Sequence, residues 1–204
     1  MAYRETAQVR VRAATRRQAI LDAAIHTVAH CGFAGASVRE IAARAEVSTG
    51  SVYSYFGNRD ELLAEVFRVV AGHELEYARE ALEQPGVDFL TRLESFISTF
   101  AGRAFRGRRM AEALLFEPAS PAIEAERLAL RQRHHRFFSE AISTAVDLGE
   151  LPDQDPALAS RAVIGAISEN LFGRLTAPQY GPDDDGEVTR YLLTFCTRAL
   201  GAHS

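Results

Sequence analysis

The stretch SVREIAARAEVSTGSVYSYF, residues 37–56, decides the fold of this 204-residue chain. Ser37, followed three residues later by Glu40, forms a capping box that begins a short helix. The segment AEVS breaks this helix, and Ser48 lies where it caps a second short helix. Two short helices joined by a tight turn, with apolar residues at inward positions, predict a helix-turn-helix unit.

The second short helix is rich in hydroxyl groups and contains a glycine, although such residues form helices poorly. In a helix-turn-helix unit the second helix lies in the DNA major groove, with its N-terminal residues at the base edges. Short hydroxyl side chains, a glycine that permits close backbone approach and tyrosines that reach phosphates suit that role. The helix N-terminus adds a positive dipole end for the phosphates. We therefore expect this helix to bind DNA.

The rest of the chain reads as helix, and no alternating strand pattern of useful length occurs. The expected helices outside the unit cover approximately residues 15–32, 58–83, 88–106, 108–117, 122–148, 156–175 and 185–201. Glycine- and proline-containing segments separate them: Gly32, Pro85–Gly86, Gly107, EPASP, GELPDQDP and APQYGPDDDG. The sequence thus predicts an all-α protein of about nine helices.

Composition narrows the function classes. The chain is 47% hydrophobic and 25% charged, which is typical of a globular protein, and no apolar run approaches the ~20 residues of a membrane span. The N-terminal segment is polar and basic, unlike a secretory signal. Cys31 and Cys196 are far apart and give no disulfide framework. We expect a soluble, cytoplasmic protein with no membrane partner.

The net charge of −4 conceals an asymmetry between the two parts of the chain. Residues 1–59 carry eight arginines against four acidic residues, a balance of +4, so the remaining 145 residues carry −8. A basic head on an acidic body suits a protein with one anionic partner.

The segment ASVREIAARAEVSTGSVYSYFGNRDELLAEVF resembles the N-terminal DNA-binding domain of TetR-family transcriptional regulators, and the resemblance covers about residues 15–67. It is carried by Gly50, Val52, Tyr53, Tyr55 and Phe56, followed by the basic Arg59. The resemblance implies a three-helix helix-turn-helix DNA-binding domain over residues 1–59, with its core at 15–59. Residues 60–204 would then form a larger helical-bundle domain that binds an effector and dimerises.

The same resemblance implies a set of DNA-contacting residues: Ser37, Arg39, Ser48, Thr49, Gly50, Ser51, Tyr53, Tyr55 and Arg59. Arg59 would hold a phosphate, and Tyr55 is equally well explained as a core residue because it lies three positions after Val52. The arginines of the N-terminal segment form either an arm that touches the DNA backbone or minor groove, or, for Arg4 to Arg12, a disordered basic tail.

One residue departs from the family pattern, which usually has glycine in the turn where this chain has Glu46. Glycine serves at such positions because they often need a positive φ. A glutamate there would be strained and would add a negative charge near the DNA.

The body carries two helices with apolar arcs too wide for one face, at residues 156–175 and 185–201. Wide arcs indicate burial on two sides, so we expect a homodimer through these helices, matching a palindromic operator. A small-molecule pocket is expected among the middle helices. Its candidate lining, each residue also explicable as plain core, is Phe96, Phe100, Met110, Leu114, Phe116, Phe137 and Asn170.

The segment RLALRQRHHRFF, residues 127–138, places arginines and histidines on one helical face. Such a face either receives an acidic ligand or is simply solvated. The predicted function is a ligand-responsive DNA-binding regulator, most simply a repressor released by its effector, with no catalytic or metal-binding residues and no cofactor. The alternative is a helical-bundle carrier or enzyme with a vestigial DNA-binding head.

Overall fold

The computed structural model describes residues 7–176 and 185–201, and within these ranges it contains nine α-helices and no strand. The predicted all-α architecture, with an N-terminal helix-turn-helix domain followed by a helical bundle, is therefore confirmed. The helices are α1 (Ala7–Gly35), α2 (Val38–Arg44), α3 (Thr49–Phe56), α4 (Arg59–Leu82), α5 (Phe89–Arg106), α6 (Arg108–Leu115), α7 (Pro121–Asp147), α8 (Pro156–Thr176) and α9 (Asp185–Ala199).

Side-chain caps begin the helices around the turn, as the sequence predicted. The Ser37 hydroxyl accepts a hydrogen bond from the Glu40 amide at 3.2 Å, and the Ser48 hydroxyl accepts one from the Ser51 amide at 3.1 Å. Asn58 caps α4 in the same way. Each cap satisfies a backbone donor that the first helical turn leaves without a partner, which fixes where each helix begins.

The first helix begins earlier than the sequence predicted, at Ala7, and ends later, at Gly35. Arg10 and Arg12 lie on this helix and are exposed, so the interpretation as a disordered tail is wrong for these two residues; Arg4 lies outside the described residues. The segment preceding residue 15 consists mostly of acceptable helix formers and lacks a capping signal, so its boundary was invisible in the sequence. Gly32 has a φ of 74°, and the helix kinks there before continuing.

The apolar side chains form two buried clusters that meet along α4. The head core comprises the buried residues of α1 to α4 as far as Ala71, together with residues of α6 and α7, among them Leu114 and Leu130. The body core runs from Ala78 on α4 to Leu200. The head is thus packed directly against α6 and α7. The domain division at residues 59 and 60 stays a prediction, with α4 contributing to both cores.

Candidate DNA-binding surface and effector cavity

The turn between α2 and α3 is held by backbone hydrogen bonds and by apolar packing beneath it. The Val47 amide donates to the Ala42 carbonyl at 3.0 Å, and the Glu46 amide donates to the Ala43 carbonyl at 3.2 Å. Glu46, which stands where the family usually has glycine, has a φ of 55°. The turn therefore has the positive φ that was expected to strain a glutamate. Val52 and Phe56 on α3 are buried, which fixes the orientation of that helix.

The opposite side of α3 is open to solvent. Thr49, Gly50 and Tyr53 are exposed, Ser51 is half-buried, and Tyr55 is half-buried against the head core. A Cβ built on Gly50 would meet no atom closer than the Ser48 hydroxyl oxygen, at 3.9 Å. The packing of the chain therefore does not require a glycine at this position, and the close approach of DNA to Gly50 stays a prediction.

An open cleft on the head brings several of the predicted DNA contacts together. It lies between the end of α1, the start of α2 and the N-terminal half of α3. Its lining includes Ser37, Arg39, Thr49, Tyr53 and Arg59. Residues that are up to 22 positions apart in the sequence thus share one surface.

Arg59 has a structural role that the sequence did not reveal. Its guanidinium donates to the carbonyl oxygens of Ala36 at 3.0 Å and Phe33 at 2.5 Å, and so it closes the C-terminal end of α1 against α4. Cations are favourable at such helix ends because the last carbonyls lack partners. A phosphate contact by Arg59 stays a prediction. Arg17 likewise pairs with Glu65 and stacks over Phe56, so it joins α1 to the rest of the head.

A second polar network joins the head to α6 and α7. Glu117 accepts hydrogen bonds from the backbone amides of Phe33 at 3.3 Å and Ala34 at 2.8 Å, and its carboxylate pairs with Arg109 at 3.0 Å. Arg109 in turn donates to the Cys31 carbonyl at 2.9 Å. These groups enclose the kink of α1, where a Cβ on Gly32 would clash with them.

Arg127 on α7 extends this network toward the body. It is buried, and it donates to the carbonyls of Leu114 at 2.9 Å and Glu117 at 2.7 Å while pairing with Glu124. It also lines a cavity of about 550 Å³ between α5, α6, α7 and α8. This volume lies within the range of small-molecule sites. The cavity wall and the kink of α1 are therefore connected by contiguous hydrogen bonds and ion pairs.

We call the cavity between α5, α6, α7 and α8 the main cavity. Of the residues proposed from the sequence as ligand-lining, Phe96, Phe100, Leu114 and Phe116 lie in its wall. Met110 lines a smaller cavity of about 90 Å³, which shares Phe100, Leu114 and His134 with the first. Phe137 lies beside His134 and packs against the body core, and Asn170 is exposed with its amide bonded to Ala166. These last two residues line neither cavity.

The rim of the main cavity is positively charged, whereas its interior is aromatic and aliphatic. Arg131 and Arg161 are exposed at the lining, with Glu169 as the acidic member. Burial lowers the pKa of His135, and the charges of Arg161 and Arg131 lower it further, so these groups share one electropositive region. Burial also lowers the pKa of His134 to about 4, aided by the charges of His135 and Arg133.

Four large apolar side chains of α8 and α9 are exposed, and we call this set the α8–α9 face; within it Tyr191 and Phe195 line one shallow depression. The set consists of Leu158, Phe172, Tyr191 and Phe195. Groups of large apolar residues on a protein surface mark contact sites for other macromolecules. Among the described residues, no helix combines the length and apolarity needed to span a membrane, and no three metal-ligating side chains cluster.

Comparison with known proteins places these surfaces in context. Residues 20–66 match the model of bacterial regulatory proteins of the tetR family, a segment that includes all of α2 and α3. The transcriptional repressor KstR of Rhodococcus jostii is 26% identical over 79% of this chain and 73% of its own length. The chain belongs to the TetR family.

Two further matches show how similarity is distributed over this TetR-family regulator. The regulator BetI of Paraburkholderia phytofirmans is 46% identical, but over 27% of this chain and 28% of BetI. The crystal structure of Bacillus subtilis FadR in complex with stearoyl-CoA superposes with a TM-score of 0.72, covering 87% of this chain and 97% of FadR at 20% identity. Sequence identity is therefore high in the aligned BetI segment, whereas the fold is shared over nearly the whole chain.

Proposed function

We propose that this TetR-family regulator is a repressor that binds a palindromic operator as a homodimer and is released by a small-molecule effector. The observation that carries the proposal is the solvent-open face of α3, whose exposed Thr49, Gly50 and Tyr53 lie on a rigidly anchored helix. A helix that the head core holds from one side, and that exposes hydroxyls and a glycine on the other, has the geometry of a major-groove reader. Such a regulator would act in the cytoplasm.

On this proposal the nine residues named from the family resemblance divide by role. Thr49 and Ser51 read base edges near the N-terminus of α3, while Gly50 permits close approach. Ser37, Arg39, Ser48, Tyr53, Tyr55 and Arg59 supply phosphate contacts around the open cleft, which adds orientation and affinity without sequence information. Exposed Arg10 and Arg12 on α1 extend the positive surface.

Dimerisation would use the α8–α9 face, because Leu158, Tyr191 and Phe195 are each more than half exposed, whereas Phe172 also packs against Phe116 at the main cavity. Pairing two copies through this face buries those side chains and generates a two-fold axis. The two α3 helices would then meet successive major grooves of a palindromic site. The predicted interface helices, at residues 156–175 and 185–201, contain all four residues.

Effector release would begin at the main cavity. Two connections lead from there to the head: α4, which contributes to both cores, and the network of Arg127, Glu117 and Arg109 at the kink of α1. An effector must bind better to the conformation that does not fit DNA, since equal affinity for both would shift nothing. The stearoyl-CoA complex of FadR supports a small-molecule role for a body of this shape.

Operator binding is the decisive test, measured by fluorescence anisotropy on DNA taken from upstream of the gene. We expect Tyr53→Phe to weaken binding to every bound sequence by roughly three- to tenfold, because it removes a phosphate contact. Thr49→Ala should instead change the preference among half-site variants. Tyr77→Phe is the matched control, because Tyr77 is comparably exposed but lies on α4 far along the chain from the head.

Absence of specific DNA binding by the wild-type protein would overturn the proposal and favour the carrier or enzyme alternative. Equal effects of Tyr53→Phe and Tyr77→Phe would show that α3 is not the DNA-reading helix.

A further inference from the structure

We infer that the main cavity takes an amphipathic anion, with an apolar body inside and its negative group between Arg131 and Arg161, an inference that rests on the effector role proposed above. The chemical class follows from the distribution of charge along the cavity. The interior offers rings and aliphatic chains, whereas the rim offers two guanidinium groups.

The two rim arginines differ from the other arginine of the wall. Arg127 has its guanidinium committed to the carbonyls of Ala113, Leu114 and Glu117 and to the carboxylate of Glu124. Arg131 and Arg161 form no ion pair with a described residue, and both are exposed at the lining. Guanidinium groups that line one cavity without an ion-pair partner favour a bound anion.

Glu169 is the acidic residue of the lining and opposes an anion on its side of the rim. The balance still favours an anion, because two arginines without an ion-pair partner face one glutamate in the lining of the same cavity. Ser160 lies beside this region, with its hydroxyl 3.4 Å from the His135 imidazole.

The buried wall contains a second indication that a ligand is expected. The imidazole of His134 is more than nine-tenths buried, and its Nε2 atom has no hydrogen-bond partner among the described residues. An uncompensated polar atom of this kind is costly in an apolar interior. Because His134 lines both cavities, a molecule that carries a polar group beside its apolar part could supply the missing hydrogen bond.

The test uses three ten-carbon probes that differ in the terminal group: decanoate, decyl phosphate and decan-1-ol. Binding to the full-length protein is measured by calorimetry at neutral pH, without DNA. We expect at least one anion to bind ten- to a hundredfold more tightly than the alcohol, the range of a charge-assisted pair in a partly buried site. Whether the carboxylate or the phosphate binds better identifies the type of anionic group that the rim accepts.

The double variant Arg131→Gln, Arg161→Gln should lower anion affinity to that of decan-1-ol. Arg136→Gln is the matched control, because Arg136 is exposed on the same helix but does not line the cavity. Equal affinity of the wild-type protein for all three probes, or no binding of any, overturns the inference. Operator binding of the variants, measured separately, should equal that of the wild type, so a failure of the anion site is distinguishable from a failure of the DNA-binding proposal.

Discussion

The head and the body of this regulator expose surfaces of opposite chemistry. The outer side of α3 exposes small hydroxyl residues, a glycine and a tyrosine, whereas the α8–α9 face exposes four large apolar side chains. The polar surface of α3 suits a reversible contact with a hydrated partner such as DNA. The α8–α9 face suits a lasting contact with another protein, because grouped exposed apolar side chains mark interaction sites. On the function proposed above, the first surface would make a reversible contact and the second a permanent one.

The largest expected effect is on the proposed dimer interface at the α8–α9 face. We expect Phe195→Glu to raise the dimer dissociation constant by more than ~100-fold, because the glutamate would place an unpaired charge in an apolar interface. Light scattering after size-exclusion chromatography measures the mass. Operator affinity should fall with it, since a monomer offers one half-site reader.

Leu128→Glu is the control for this change. Leu128 and Phe195 are both 58% exposed, but Leu128 lies on α7 and is not a member of the α8–α9 face. A dimer that survives Phe195→Glu at micromolar concentration, or one that dissociates with Leu128→Glu instead, would remove the α8–α9 face from the interface.

The next effect concerns the interior of the body. The pKa of His134 is lowered from 6.5 to about 4 in the folded chain, mainly by burial. Between those two values the unfolded state binds more protons, so stability should fall as the pH drops from about 6.5 to about 4 and level off below. The full loss is about 3 kcal/mol, from the size of that shift.

His134→Phe should remove this part of the pH dependence while retaining ring packing against Phe100 and Phe137. Urea unfolding at a series of pH values measures it. The same substitution at the exposed His73 is the control and should leave the slope as it is. An unchanged slope in His134→Phe would show that the acid sensitivity lies elsewhere.

A third effect tests the connection between the two regions. Glu117→Ala should lower the free energy of unfolding by about 2 kcal/mol, because it removes an ion pair and leaves two backbone amides of α1 without their acceptor. Glu112→Ala is the control: Glu112 also pairs with Arg109, but its side chain is 34% exposed against 10% for Glu117. Its loss should cost less than about 1 kcal/mol. Equal losses in the two variants would mean that the amide contacts contribute nothing.

The sequence could predict the features of the head and body that depend on neighbouring residues. The head signature is contiguous: Ser37, Ser48 and the hydroxyl-rich helix stand within 20 residues, and local capping rules predicted both short helices. Apolar spacing and breaks also placed the body helices, with α5 expected at residues 88–106 and found at Phe89–Arg106. Local physics decides these features, so local sequence contains them.

Features made by distant residues were invisible. The bond between Glu117 and the α1 amides joins positions more than 80 residues apart, and the role of Arg59 at the end of α1 depends on how α4 crosses it. The cavity wall likewise combines four helices, so apolar residues such as Phe96 and Phe137 looked equivalent in sequence although one lines the cavity and the other does not. Tertiary packing, not periodicity, distinguishes them.

The smallest expected effect concerns Glu46, in the turn between α2 and α3. Glu46 has a φ of 55°, a value that costs a residue with a Cβ roughly 1 kcal/mol. Among the described residues, Glu46 forms no ion pair with Arg39 or Arg44. No such pair therefore offsets the cost of its positive φ. Glu46→Gly should therefore raise Tm by about 2–4 °C for a chain of this size. The gain is reduced in part by the greater freedom of glycine in the unfolded chain.

Two variants separate the strain of Glu46 from its charge. Glu46→Gln keeps the strained side chain but removes a negative charge within about 10 Å, one Debye length, of the proposed DNA phosphates. We expect both variants to bind the operator more tightly at low salt, since less repulsion remains to be screened, whereas Glu46→Gly alone should raise Tm. If Glu46→Gly instead lowers both Tm and operator affinity, the glutamate supports the turn, and the positive φ is a conformation that its side chain helps to hold.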